Sequence, residues 1–248
     1  MTKIPTYWFN WLNRFYKQVK DDPIFKQIKR ETNKKCVLIE PRKHPLLKFV
    51  VYNFMWLLAP KGYGLHIFCG TENRDFVEDI CKDMNEVSFY TLPYDNLSEP
   101  LYNMLLTNPQ FYECIDGHPD HILIFQTDTI LLKDNVDDYL EWDYIGAAWK
   151  HTLHSNRGMN GGLSLRNRNA MIKLLTENPL LRMDNEDGHI SYTNSDKLHL
   201  PPLEKRLEFS VETVWKCECP TGFHATYKFQ PEERIKECLE NTWKRLFG

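Results

Sequence analysis

The chain has no apolar stretch able to cross a bilayer. Its longest run, Phe54 to Pro60, falls far short of the roughly 20 residues a spanning helix needs. Its start, Met1-Thr-Lys-Ile-Pro-Thr-Tyr-Trp-Phe-Asn10, holds neither a continuous apolar segment nor a small-residue cleavage site, so no secretory signal is expected. Cysteines are few, scattered and odd in number, at positions 36, 69, 81, 114, 217, 219 and 238. They read as reduced thiols and exclude a disulfide framework. There is no Gly-rich phosphate loop in the first strand-to-helix crossover, which argues against dinucleotide-binding and P-loop proteins. Internal repeats and low-complexity tracts are absent, and Asn96-Leu97-Ser98, formally a glycosylation sequon, reads as chance without a signal.

What is present is a globular composition. The 248 residues are 42% hydrophobic and 13% aromatic, enough for one large domain, or a domain with an appendage, around a sizeable core. Net charge is −3, but residues 1–48 carry twelve Lys/Arg against four Asp/Glu, a net of +8, which leaves −11 for the remainder. A basic leading segment can meet phosphates, an anionic membrane or an acidic partner, or pack on the acidic body of its own chain, the reading preferred here. Overall acidity argues against nucleic-acid binding. Within that segment Thr6 to Lys20 has Trp8, Phe9, Trp11, Leu12, Phe15, Tyr16 and Val19 on one helical face. Such a helix lies on a membrane, makes a homodimer contact or seals a domain, and packing against protein is expected.

Four short apolar runs alternate with helical patterns. Cys36–Glu40, Leu65–Cys69, Val87–Leu92 and the stretch from His121 to Phe125 read as strands; Leu46–Ala59, Thr71–Met84 and Ser98–Leu106 read as the helices between them. That order predicts an α/β fold: a mostly parallel central sheet flanked by helices. The second half is more mixed. Strands are expected at Asp143–Trp149, after a turn at Asn160-Gly161-Gly162, and at Glu208–Glu212. Helices are expected at Asn167–Glu177 and Pro231–Phe247, and a mobile loop over His151–Asn160. The domain division expected is a helical extension over 1–33 and one domain over 34–248.

The fourth strand stops at Gln126-Thr127-Asp128-Thr129. A carboxylate delivered at the C-terminal end of a buried strand is how open α/β sheets build ligand sites, although a turn or cap residue looks the same locally. The first strand ends in Glu40-Pro41-Arg42-Lys43-His44-Pro45, an extended loop crowded with charge. Glu186 and Asp187 form an adjacent carboxylate pair, readable as a general base or as a helix cap. Asn160-Gly161-Gly162 allows close backbone approach, or is a tight hairpin. Trp149 offers a flat aromatic face for stacking or fills core. His224 follows Cys217-Glu-Cys219-Pro-Thr-Gly222, and a zinc site from these thiols, His224 and Cys238 is the competing reading, with an ordinary loop histidine the plain one.

In order and spacing, Ile39-Glu-Pro-Arg-Lys-His-Pro45, Phe125-Gln-Thr-Asp-Thr129, Asp143-Tyr-Ile-Gly-Ala-Ala-Trp149, Asn160-Gly-Gly-Leu-Ser-Leu-Arg166, Glu186-Asp187 and Phe209-Ser-Val-Glu212 resemble nucleotide-sugar glycosyltransferases of the GT-A fold. The similarity is closest to a family of uncharacterised glycosyltransferase-like domains of fungi, bacteria and large DNA viruses, and it covers roughly residues 36 to 230. It implies a GT-A-like domain that transfers a sugar from a nucleotide-sugar donor, UDP-linked rather than GDP-linked, to a hydroxyl of a glycan or protein acceptor. It also implies nucleotide-sugar contacts at Pro41, Arg42, Gln126, Thr127, Asp128, Asn160, Gly161 and Gly162, and catalysis by Asp187 or its neighbour Glu186. Mn²⁺ or Mg²⁺ on Asp128 and His224 would neutralise the leaving diphosphate. The family's Asp-X-Asp has Gln126 in its first place, which can hydrogen-bond a hydroxyl but brings no charge to a metal. A non-catalytic nucleotide- or glycan-binding module on the same fold is the alternative. The localisation expected is cytoplasmic, or host cytoplasm or virion for a viral chain.

Overall fold

The computed structural model describes residues 4–181 and 184–248; residues 1–3 of the expected 1–33 extension lie outside them. From the N-terminus, helix α1 (Thr6–Val19) precedes β1 (Lys34–Ile39), α2 (Leu47–Leu58), β2 (Tyr63–Cys69), α3 (Arg74–Cys81) and β3 (Ser88–Thr91). Helices α4 (Glu99–Leu106) and α5 (Pro109–Glu113) then lead to β4 (His121–Phe125). Next come β5 (Thr129–Leu131), β6 (Tyr144–Ala148), β7 (Met159–Asn167) and α6 (Arg168–Glu177). A single turn α7 (Glu186–Gly188) runs into a π-helical turn, and α8 (Leu203–Phe209), β8 (Ser210–Val211), β9 (Gly222–His224) and α9 (Glu232–Phe247) complete the chain.

Six strands form the central sheet in the order β3-β2-β1-β4-β7-β6. The first four are parallel; β7 runs antiparallel to β4, and β6 antiparallel to β7. Strands β1, β2 and β4 are nearly continuous apolar runs because helices cover both faces. Phe125, the last residue of β4, stacks on Phe54 of α2 with centroids 4.1 Å apart. The expected mostly parallel sheet flanked by helices is the observed architecture.

A second sheet, β5-β9-β8, lies beyond the end of β4. Its edge strand β5 is held by a side chain in place of a strand: Asn53 of α2, fully buried, donates to the Leu131 carbonyl (3.0 Å) and accepts from the Leu131 N–H (2.8 Å). This satisfies the Leu131 backbone groups on the edge of β5 that faces away from β9.

Two local expectations differ from the structure. Glu208 and Phe209 finish α8 rather than begin a strand, because Arg206 and Phe209, three apart, both turn into the interior. The Arg206 guanidinium there donates to the carbonyls of Ser155 and Arg157. Asn160-Gly161-Gly162 lies inside β7 and is not a hairpin turn. It faces a bulge between Ile145 and Ala147 of β6, where Gly146 is so close that a Cβ would lie 2.0 Å from the Asn160 carbonyl oxygen. The 151–160 stretch begins with a single 3₁₀ turn, Lys150–Thr152, and ends by entering β7.

Helix α1 buries Trp8, Trp11, Leu12, Phe15 and Val19. Trp11 donates from its indole nitrogen to the Leu239 carbonyl of α9 (3.0 Å), and Phe15 packs edge-on against Trp56 and Phe247. Its apolar face is therefore covered by α2 and α9. Two cations of the basic leading segment, Arg14 and Lys34, pair with Glu240 and Asp137 of the acidic remainder.

Candidate functional site

Strand β4 ends at Phe125, and the chain turns through Gln126-Thr127-Asp128 into β5. Antiparallel pairing sets Thr129 opposite His224, and the Asp128 carbonyl accepts from the Ala225 N–H at 2.9 Å. Parallel pairing sets Val211 beside Phe223, so Glu212 emerges next to His224. Three strands of two or three residues thus bring together groups remote in sequence. His224 Nε2 lies 3.6 Å from Asp128 Oδ1 and 3.1 Å from Gln126 Oε1, while its Nδ1 lies 3.4 Å from Glu212 Oε1. After β9, Ala225 takes a left-handed conformation (φ 46°) that turns the chain so that Lys228 reaches back to Asp128 Oδ2 at 3.0 Å.

Burial pushes the Asp128 carboxyl up, but His224 and Lys228 outweigh it and hold it below the usual carboxylate range. Burial alone would lower His224; Glu212 and Asp128 reverse this and raise it. The cluster therefore stores an acid held ionised beside a histidine that readily takes a proton.

Gln126, Asp128 and Lys228 of this cluster border a cleft of about 800 Å³ at the C-terminal ends of β1 and β4. Pro41, Arg42, Gln126, Thr127 and Asp128 line it with His44, Tyr102, Tyr227 and Lys228. Arg42 is held by a two-pronged pair to Glu40, which is 2% exposed: Nε to Oε1 at 2.7 Å and Nη2 to Oε2 at 2.8 Å. Glu40 raises the Arg42 guanidinium further and fixes its plane. His44 Nδ1 accepts from the Leu46 N–H, so its proton is on Nε2, and burial lowers its affinity for a second one. The Tyr102 hydroxyl is buried beside the Gln126 side chain without a well-aligned hydrogen bond.

Behind the cleft, β7 ties this cluster to the second carboxylate pair. The Asn160 amide donates to Glu212 (3.1 Å) and its oxygen accepts from the Gly162 N–H (2.7 Å). A Cβ on Gly162 would fall 2.1 Å from His224 Nε2, and one on Gly161 would fall 2.0 Å from Glu186 Oε1. The space over both glycines is filled by side chains of this chain. Glu186 is buried in an ion pair with the fully buried Arg166 (3.1 Å), which also donates to the Tyr112 hydroxyl and the Ser164 hydroxyl. Asp187 differs. It accepts from the N–H groups of Gly161 (3.2 Å) and Gly188 (2.8 Å), yet burial and the neighbouring Glu186 charge push its carboxyl up to about 7. Trp149, half-buried at the end of β6, stacks on His151 beside the Gly188 turn.

Of the residues singled out in sequence, Pro41, Arg42, Gln126, Thr127 and Asp128 share the cleft, with His224 on Asp128. Asn160, Gly161 and Gly162 form the strand behind them, and Asp187 is joined through Gly161. Cys217, Cys219 and Cys238 do not join His224, whose ring nitrogens meet an amide and carboxylates. Among the described residues, no three His, Cys, Asp or Glu converge as they stand on a metal position. Nothing in the sequence marks Lys228, Tyr102 or Tyr227. Glu212 stands in a quoted motif, and only the β8–β9 register gives it a place.

No curated protein matches the chain in sequence. Among solved structures, the apo form of mouse xyloside xylosyltransferase 1 superposes with a TM-score of 0.52 at 11% identity, over 80% of this chain and 99% of that one. The likeness shows the fold alone, a broadly GT-A-like α/β domain with a central sheet flanked by helices. The catalytic domain of Drosophila β1,4-galactosyltransferase 7, in complex with xylobiose, aligns at a TM-score of 0.31 and 13% identity, over 57% of this chain and 52% of that one. The family model DUF5672, described as a protein of unknown function, matches residues 86–224, more than half of the chain, so the chain belongs to that family.

Proposed function

We propose that the chain transfers a sugar from a nucleoside-diphosphate donor, UDP-linked in the first instance, to an acceptor hydroxyl of a glycan or protein. The observation that carries this reading is the set of charged groups lining one cleft at the strand ends, Asp128, Lys228 and Arg42, with His224 against Asp128. In this reading the Arg42 guanidinium and the Lys228 ammonium bind the diphosphate, and the Gln126 amide and Thr127 bind ribose or sugar hydroxyls. Tyr102 and the His44 Nε2–H supply further donors. Asp187 takes the acceptor's proton as its oxygen attacks the anomeric carbon and the nucleoside diphosphate leaves. A carboxyl raised to about 7 suits that proton transfer at neutral pH. Glu186, engaged by Arg166, holds the turn that presents Asp187.

Asp128 Oδ1, His224 Nε2 and the Gln126 amide oxygen are a donor set that fits one Mn²⁺ or Mg²⁺ shared with phosphate oxygens. The Glu212 carboxylate on the other ring nitrogen is the partner a ligating histidine usually has. Such a cation would neutralise charge on the leaving diphosphate. Isothermal titration with UDP, with and without Mn²⁺, tests the reading, and well-folded protein that binds in neither condition refutes it.

A second reading, a binding module without turnover, draws on Gln126 and on the Lys228 ammonium already paired with Asp128. Donor hydrolysis or transfer that disappears in Asp128→Ala, with the fold intact, rules that reading out.

A further inference from the structure

All seven cysteines are free, and two of them meet. Cys238, on the inner face of α9, lies with its Sγ 3.9 Å from that of Cys219, on the loop leading into β9. The surroundings of the two thiols are unequal. Cys219 is half-exposed, accepts the Cys238 S–H, and has the Arg245 guanidinium 4.0 Å from its sulfur. Lys133 donates to its carbonyl at 2.5 Å. Cys238 is 7% exposed. The Cys238 hydrogen bond and the Lys133 and Arg245 charges lower the Cys219 thiol, and the same hydrogen bond with burial raises Cys238. A thiolate-prone, accessible cysteine beside a buried second thiol is the arrangement of an attacking and a resolving cysteine. Cys217, two residues away, has no such partner, and burial pushes its thiol up to about 11.

We propose that Cys219 and Cys238 are a thiol–disulfide exchange site that takes a small disulfide such as glutathione disulfide. The Cys219 thiolate attacks one sulfur of the oxidant, whose S–S bond breaks, and one glutathione leaves as a thiolate that takes up a proton. The Cys238 thiol then loses its proton, and its sulfur attacks Cys219 in the mixed disulfide and expels the second glutathione. Two protein thiols are oxidised and one disulfide is reduced to two thiols. The sulfurs close from 3.9 Å to about 2.0 Å. The new bond fastens α9 to the loop that continues into His224, so the oxidation state is coupled mechanically to the sheet that carries the candidate site.

Incubation of the full chain with glutathione disulfide, followed by peptide mapping without reduction, tests this. The expected product has lost two hydrogens and carries a 219–238 cross-link, reversed by dithiothreitol. Cys238→Ser is expected to stop at a glutathione adduct on Cys219, and Cys219→Ser to yield neither cross-link nor adduct at 238. Cys217→Ser, as control, cross-links like the parent. A folded parent that keeps all its thiols, a cross-link through Cys217, or adducts spread evenly over Cys114, Cys217 and Cys219 would overturn the proposal.

Discussion

His224 is poised between a proton and a metal. Its ring is raised by Glu212 and Asp128, and only the neutral ring can ligate. Mn²⁺ binding should therefore weaken as pH falls through the histidine range, and an ion bound there should displace a proton from the ring. Isothermal titration in buffers of different ionisation enthalpy measures that proton, and binding that is flat in pH would remove His224 from the ligand set. Asp187 titrates in the opposite sense to an ion-paired carboxylate. Its folded value, about 7, lies above the ordinary aspartate value of 3.8. The folded state thus holds its proton more tightly than the unfolded one. This contribution to stability is complete below about pH 4 and is lost as pH rises through about 7, a change on the order of a few kcal/mol. In Asp187→Asn that loss should vanish from urea-unfolding midpoints measured from pH 5 to 8. In the proposed reaction the ionised form is the active one, so kcat/KM of the parent should rise with pH to a plateau above about 7. The same substitution should cost about 10²–10⁴-fold in rate. A parent profile flat through pH 7 would take the proton-accepting role away from Asp187.

At the scale of elements, the glycines of β7 separate two effects. Gly162→Ala pushes on His224, and Gly161→Ala pushes on the buried Glu186–Arg166 pair. Overpacking of this kind costs about 1–3 kcal/mol. The first should chiefly weaken Mn²⁺ and UDP binding; the second should chiefly lower the unfolding midpoint. Equal effects of both on binding and stability would contradict this division. Asn53→Leu strands the N–H and C=O of Leu131, at about 1–3 kcal/mol for each unpaired group. Because β5 carries Thr129 opposite His224, UDP affinity should fall with it; a stability loss with unchanged affinity would show that the edge of β5 does not position the site. These short elements are also where sequence patterns run out. The four parallel strands are readable because each is an apolar run of several residues bounded by turns, and Asp128 is readable because it ends one of them. Strands β5, β8 and β9 have two or three residues, too few to show an alternation, and β5 meets β9 by pairing Thr129 with His224, remote in sequence. Lys228 and Glu212 reach His224 and Asp128 only through that register. Asn160-Gly161-Gly162 reads as a turn because close packing of two strands requires the same residues as a tight hairpin. Arg206 disguises α8, since a fully buried arginine breaks the apolar stripe that marks a helix face.

Considered as a whole molecule, the leading segment belongs to the cleft as well as to the core. Ile4 lines the cleft together with Tyr227 and Lys228, and Trp8 packs edge-on against Tyr227 at 5.0 Å and in a tilted contact against Phe223 of β9 at 6.2 Å. Helix α1 therefore backs the segment from which Lys228 reaches Asp128. Its five buried side chains are each worth about 1.5–3 kcal/mol. Their sum is comparable to the whole net stability of a domain, about 5–15 kcal/mol. A chain starting at Lys34 should not behave as a domain relieved of an appendage. Its uncovered α2 and α9 faces should bind a hydrophobic dye, and its thermal transition should broaden or vanish. Trp8→Ala is the gentler probe. It should cost about 3–5 kcal/mol yet leave a cooperative transition, and it should weaken UDP binding because Tyr227 and the Lys228 turn lose their backing. A chain from Lys34 that melts sharply at the full-length temperature and binds UDP equally well would show instead that residues 1–33 are an independent extension, and that Arg42, Asp128 and Lys228 are held by the sheet alone.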